Sequence, residues 1–333
     1  MSMAPLRAAM VPVTRQMRAY FAPVNRANET PTIFDPGLNG VFALDAPPAP
    51  WLDLGWVENF ERWYETPTDV VRSGAKGLPA AQFRGPADAR VQFDFCQWGK
   101  LQMALACGSE HMNVLAPAAG STTPAPSGGM PALGVAVLPG STANELVLGA
   151  GAVNAFPVGC LIAVDVDYQQ QVGYVGSGIA AAYVSSAAAV KQDPNYVRRV
   201  TFNVGRVAEV TSTSVVLAQP LLGGAPAAGA SAQQVVAFVD REGGSFFQEW
   251  SALFVAQEAS GGRVCFYYPR LSAGGEGKSA GKSVREAFSS FAKPLSTIAL
   301  RASFVALPIT DTNDGQAVVC YRSFYPAAMG GVY

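Results

Sequence analysis

The stretch VQFDFCQWGKLQMALACG, residues 91–108, changes its period halfway. Its first five residues alternate, with Val91, Phe93 and Phe95 on one face, the pattern of a half-buried strand. Trp98, Leu101 and Leu105 then recur at i, i+3 and i+7, one stripe of an amphipathic helix, and Gly108 is placed to end it. The reading is a strand that runs directly into a helix over residues 97–107.

Outward from this point the chain reads as strands. Before it, Trp51 to Val57 is an extended run. After it, residues 116–133 (APAAGSTTPAPSGGMPAL) form a Pro/Gly/Ser/Thr-rich linker. A middle region, residues 134–244, carries five strand-like runs: Cys160–Tyr168, Val200–Val204, Arg206–Thr211, Ser214–Gln219 and Gln234–Val239. Short strands joined by turns suggest a small barrel or sandwich. Residues 223–232 (GGAPAAGASA) are a flexible segment inside it. Asp240-Arg241-Glu242-Gly243-Gly244 reads as a charged turn between modules. The last region, 245–333, returns to the aromatic character of the first. There Ile298–Ile309, the turn Thr312-Asn313-Asp314-Gly315 and the return Gln316–Phe324 form a hairpin signal, since Asp-Gly supplies positive φ. The layout expected is a discontinuous β domain (1–115 with 245–333), a linker, and an inserted β module.

Composition bounds the partners. Of 333 residues half are apolar and 14% are charged, below the usual value of about 25%. Apolar surface left exposed on such a chain marks an interface. The 23 basic and 24 acidic residues balance, and no basic block provides the footprint of a sequence-reading DNA protein. The five cysteines are widely spaced without C-x-x-C, which argues against a disulfide framework or zinc ribbon and for a reducing, intracellular site of folding. The N-terminal arginines Arg7, Arg15, Arg18 and Arg26 superficially suit a transit peptide; a plain N-terminal arm is the simpler reading. No run reaches the roughly 18–20 apolar residues of a membrane span.

No catalytic constellation emerges. Residues 274–283, GGEGKSAGKS, lie between a strand-like run ending at Tyr268 and a helix-like run from Val284. A phosphate-binding loop needs Gly, four residues, then Gly-Lys-Ser/Thr. Counting back from Gly281 gives Glu276, and from Gly277 gives Ser272. The pattern fails in both registers, and the strand before it is interrupted by Tyr268-Pro269-Arg270-Leu271. What remains is a flexible basic loop with Lys278, Lys282 and Arg285 exposed. His111, the sole histidine, sits just past the expected helix and reads as a loop or interface residue; no G-x-S-x-G elbow supplies it a nucleophile. Asp165 and Asp167 share a strand face and pair most simply with Arg198 and Arg199. Asp311-Thr312-Asn313-Asp314-Gly315 is one residue short of a calcium loop and reads as a turn. Trp56, Trp63, Tyr64, Trp98 and Trp250 are expected mostly in the core, some anchoring subunit contacts. No cofactor and no metal site is expected.

Three segments together resemble the tail tube proteins of long-tailed bacteriophages. They are Asp53-Leu54-Gly55-Trp56-Val57-Glu58-Asn59-Phe60 with Ser73-Gly74, the run VQFDFCQWGKLQMALACGSEHMNVL (91–115), and the C-terminal PLSTIALRASFVALPITDTNDGQAVVCYRSFYPAAMGGVY (294–333). The resemblance covers about 60% of the chain. It implies a mainly β, tail-tube-type sandwich or barrel with one flanking helix, the middle region being an inserted small β-barrel-like module on the outside. It implies a virion structural protein, made in the bacterial host cytoplasm, and no enzyme. Its partners would be copies of itself in rings, six-fold as a rule, stacked into a tube, with other tail proteins at the tube ends. Double-stranded DNA would pass through without sequence-specific contact. Edge strands invite such pairing, and head-to-tail contacts that close make rings. Lys278, Lys282 and Arg285 would then be inter-ring contacts. The alternatives are a carbohydrate-binding or surface-interaction β-sandwich, and, more remotely, a P-loop-like nucleotide hydrolase.

Overall fold

A computed structural model of the chain describes residues 17–25, 30–48, 50–73, 78–85, 87–107, 110–118, 120, 132–164, 171–172, 203–221, 224–241, 249–257, 262–273 and 300–325. It is mainly β. The N-terminal elements are β1 (Met17–Asn25), the one-turn α1 (Pro36–Asn39), β2 (Leu52–Glu65), β3 (Thr68–Ser73), β4 (Leu78–Arg84) and β5 (Asp88–Phe95). There follow α2 (Lys100–Cys107), β6 (Glu110–Leu115), β7 (Val135–Ala136), β8 (Glu145–Val147), β9 (Leu161–Val164), β10 (Gln171–Val172), β11 (Val204–Val210), β12 (Ser214–Leu217) and β13 (Ser231–Arg241). The last are β14 (Glu249–Gln257), β15 (Arg263–Ala273), β16 (Leu300–Leu307), β17 (Ile309–Thr310), β18 (Ala317–Val318) and β19 (Tyr321–Tyr325). The chain divides into two compact units. One comprises residues 1–22, 32–97 and 251–333; the other comprises 23–31 and 98–250.

In the first unit six strands close on themselves in the order β1-β14-β15-β16-β5-β2, with β2 pairing back to β1. The expected alternation of residues 91–95 decides what fills this barrel. Val91 and Phe93 are fully buried and Phe95 nearly so. Phe93 stacks on Phe304 (5.7 Å between centroids) and meets Phe254 at 5.1 Å, while Phe21 meets Phe304 at 5.6 Å. Four phenylalanines from four strands therefore plug the interior. Side chains fill a six-stranded barrel, leaving no channel. Tyr20, Leu253, Val255, Cys265 and Tyr267 form a second cluster with Phe34 and Trp51. The segment bearing Phe34, Phe42 and Leu44 thus covers part of the barrel, held by Tyr267 Oη donating to the Thr32 carbonyl and Tyr20 Oη to that of Leu44.

In the second unit, strands run in the order β6-β13-β9-β11-β12-β8, with β7 also on β13. A backbone bond from Leu138 N–H to the Val147 carbonyl, 2.8 Å, ties the exit of β7 to β8. Leu146, Phe156, Ile162, Val164, Val207 and Val215 form its core. The helix α2 starts at Lys100, three residues later than expected. Leu101 and Leu105 are buried as the stripe requires, but Trp98 precedes the helix and is 43% exposed.

Several sequence readings are corrected. Residues 204–210 form one strand rather than two, because Val207 N–H and carbonyl are both bonded in the ladder region to Cys160 and Gly159. Asp240 and Arg241 are no turn: they extend β13 against His111 and Glu110, so His111 lies on a strand. Pro269 does not interrupt its strand. β15 pairs with β19 through residue 267 and with β16 from residue 270. Proline sits at the change of partner, where the ladder on that edge is broken in any case. The C-terminal hairpin has only two rungs, Ile309–Val318 and Thr310–Ala317. Its return strand β19 pairs with β15, since both neighbours of β16 are already taken.

Candidate assembly surface

The outstanding surface of the first unit grows from β2. This strand has 14 residues, more than the barrel uses. Its first part pairs with β1, and its second part, to Glu65, runs on with β5 alone. At Thr66 and Pro67 on one arm and Gly85 on the other the ladder breaks, with Gly85 N–H bonded to the Pro67 carbonyl at 2.7 Å. The two arms then pair again as β3 and β4, from Thr68–Arg84 to Ser73–Leu78. Residues 52–95 are thus one long hairpin, whose inner part belongs to the barrel and whose outer part, 64–73 with 78–89, is two-stranded. The part beyond the last rung with β16, residues 64–73, has material for about 33 Å of strand at about 3.3 Å per residue.

The arm exposes apolar side chains. Trp63 is 49% exposed, Tyr64 61%, Val70 44%, Val71 49% and Phe83 61%. Trp63 and Tyr64 belong to a set expected mostly in the core, with some of it anchoring subunit contacts. They lie past Val57, the last β2 residue paired with β1, and both stay well exposed. Val71 and Phe83 share one face of the ribbon, while Val70 takes the other, because Asp69 pairs with Phe83 and Val70 with Gln82. Both faces are therefore partly apolar. Among the described residues β3 and β4 pair with no other strand. Up to Val57, where β2 pairs with β1, closure leaves the barrel no free edge. Open backbone edges lie instead on the ribbon.

The root of the arm is a polar cluster. A bulge between Glu58 and Glu61 leaves Asn59 at φ 52, the one non-glycine in the left-handed region among the described residues. Its Nδ2 donates to Asp94 Oδ2 at 2.7 Å, and Arg301 Nε donates to Asp94 Oδ1 at 2.7 Å. Asp94 is 5% exposed. Burial pushes its carboxyl up, but the bonds from Arg301 and Asn59 outweigh that and hold it below its ordinary value. On the other side of the strand pair, Arg18 forks onto Asp53 and lies over Trp56.

The remaining candidates fall in two groups. Lys278, Lys282 and Arg285, with the whole of GGEGKSAGKS, lie outside the described residues, as do Asp165, Asp167, Arg198 and Arg199. In the C-terminal turn the carboxylates bond inward. Asp311 Oδ1 accepts from Asn313 N–H and Asp311 Oδ2 from Tyr321 Oη, and Asp314 Oδ1 accepts from Gln316 N–H. The five cysteines are unpaired, and burial pushes the Cys265 thiol up to about 12. Among the described residues no three His, Cys, Asp or Glu side chains gather as a metal site, and no helix is long and apolar enough to cross a membrane.

The sequence reading named Trp63 and Tyr64 but missed Val70, Val71 and Phe83. The signal was present: two short runs, Thr68–Ser73 and Leu78–Arg84, flank a Gly74–Gly77 turn in the sequence. No family model and no curated protein matches the chain.

Proposed function

We propose that this chain is a structural subunit that assembles with copies of itself into rings, stacked as a hollow tube of the phage-tail type that conducts double-stranded DNA. The observation that carries the reading is the outer part of the 52–95 hairpin, whose β3–β4 ribbon has apolar side chains on both faces and, among the described residues, two unpaired backbone edges. A monomer gains nothing by leaving that surface in water. A neighbour could cover Phe83 and Val71 while pairing with a ribbon edge, joining area burial to main-chain bonding. The filled barrel supports the same reading. Phe21, Phe93, Phe254 and Phe304 leave no bore within this barrel, which favours a conduit between protomers. The near-balance of charge suits passage of DNA without capture. Other tail proteins would meet the tube ends, and the virion tail is its place.

The test is a concentration series of purified protein by sedimentation velocity and negative-stain microscopy. Rings or tubes are expected. The double variant Val71→Asp, Phe83→Glu should remain monomeric while its circular dichroism stays that of the wild type. A wild type that stays monomeric at high concentration, or a double variant that assembles as well as the wild type, would refute the reading.

A further inference from the structure

In the second unit the first residue of α2 meets β6. Lys100 Nζ lies 2.5 Å from Asn113 Oδ1. Asn113 is 3% exposed, and its Nδ2 has no hydrogen-bond partner. The Phe238 ring, opposite Asn113 in the β6–β13 ladder, stands 5.7 Å from the Lys100 nitrogen. An amine, a primary amide and an aromatic face are thus packed together in one layer.

We propose that Lys100 and Asn113 become joined by an intramolecular isopeptide bond. Lys100 Nζ, as the free amine, attacks Asn113 Cγ. The Nζ–Cγ bond forms, the Cγ–Nδ2 bond breaks, one Nζ proton passes to Nδ2, and ammonia leaves. No oxidant, reductant or cofactor enters the balance.

Three features of the site favour this step. Burial drives the Lys100 ammonium down to about 7, so an appreciable share of the nucleophilic amine exists at neutral pH. The positive end of α2, which begins at Lys100, disfavours the ammonium further. The leaving nitrogen, Asn113 Nδ2, has no hydrogen bond to give up, while the bond on Oδ1 keeps the amine beside the carbon it attacks, replacing an encounter in solution by a held geometry. The bond would tie the start of α2 to β6, and through the β6–β13 ladder to β13, in a chain whose five thiols are unpaired.

The experiment is mass spectrometry of the full-length protein. The intact mass should fall short of the sequence mass by about 17 Da, the mass of one ammonia. Cleavage after Glu110, which lies between the two residues, should leave the fragments covalently attached. Lys100→Arg and Asn113→Ala should each restore the full mass and release the fragments. Wild-type protein with full sequence mass, whose fragments separate after cleavage at Glu110, would overturn the proposal outright. That measurement does not depend on any variant folding.

Discussion

At the scale of single residues, the Asp94 cluster sets the terms at the root of the arm. Arg301 is 40% exposed, so the pair is partly screened, yet Asp94 itself is buried. Asp94→Asn removes the charge that holds both donors, and should lower stability by about 1–3 kcal/mol at pH 7, read by urea denaturation. The pH dependence follows from the direction of the shift. The folded carboxyl sits below its unfolded value, so its contribution is complete above the unfolded pKa of about 4 and is lost as pH falls through the lower folded value. The stability gap between wild type and variant should therefore close in acid and stay open toward neutrality. Asn59 makes a separate test. Asn59→Ala and Asn59→Gly both lose the bond to Asp94, but only glycine takes φ 52 without strain. The alanine variant should be the less stable by about 1 kcal/mol. Equal stabilities would mean that the bulge relaxes.

At the scale of elements, strand length and breaks decide the outcome. β2 runs on past its last β1 partner into a ribbon that pairs with no other strand among the described residues, and that is why, on the proposed assembly, the double variant on the ribbon should abolish association without unfolding the chain. Pro67 stands at the break in that arm as Pro269 stands at the change of partner on β15. Both prolines fall where no rung is lost, as a residue without an N–H requires. Gly315 closes the C-terminal turn at φ 72, with Asp311 N–H on the Gln316 carbonyl. An added Cβ there would meet nothing within 4 Å, so only backbone strain opposes substitution. Gly315→Ala should cost about 1 kcal/mol in thermal or chemical denaturation, and Gly315→Asn less, since asparagine tolerates this region.

At the scale of the whole molecule, two separate cores stabilise two units. The phenylalanine plug belongs to the first and the Leu146–Phe156–Ile162 cluster to the second. Phe93→Ala should destabilise the first unit by about 3–5 kcal/mol. Hydrogen exchange should show the loss in β5, β14 and β16 and leave β9, β11 and β12 protected as before. Uniform loss across both sets of strands would mean that the units unfold as one. In an assembly, the same variant should weaken rings only through the barrel, because Phe93 does not reach the surface.

The sequence by itself determined what depends on neighbours along the chain. The alternation of Val91, Phe93 and Phe95, the Leu101–Leu105 stripe and the Asp-Gly turn each express a local period or a backbone preference, and each lies where that period put it. Only the tertiary structure decided which strands meet. That β19 turns away from β16 to β15, that β13 continues through Asp240 and Arg241, and that β2 runs on past β1 with Trp63 and Tyr64 exposed all depend on which edges are already occupied. An aromatic residue in a strand reads the same to a local pattern whether a second layer covers it or not. Burial is a property of the partner surface, and the partner is named by pairing across the chain, or by another chain.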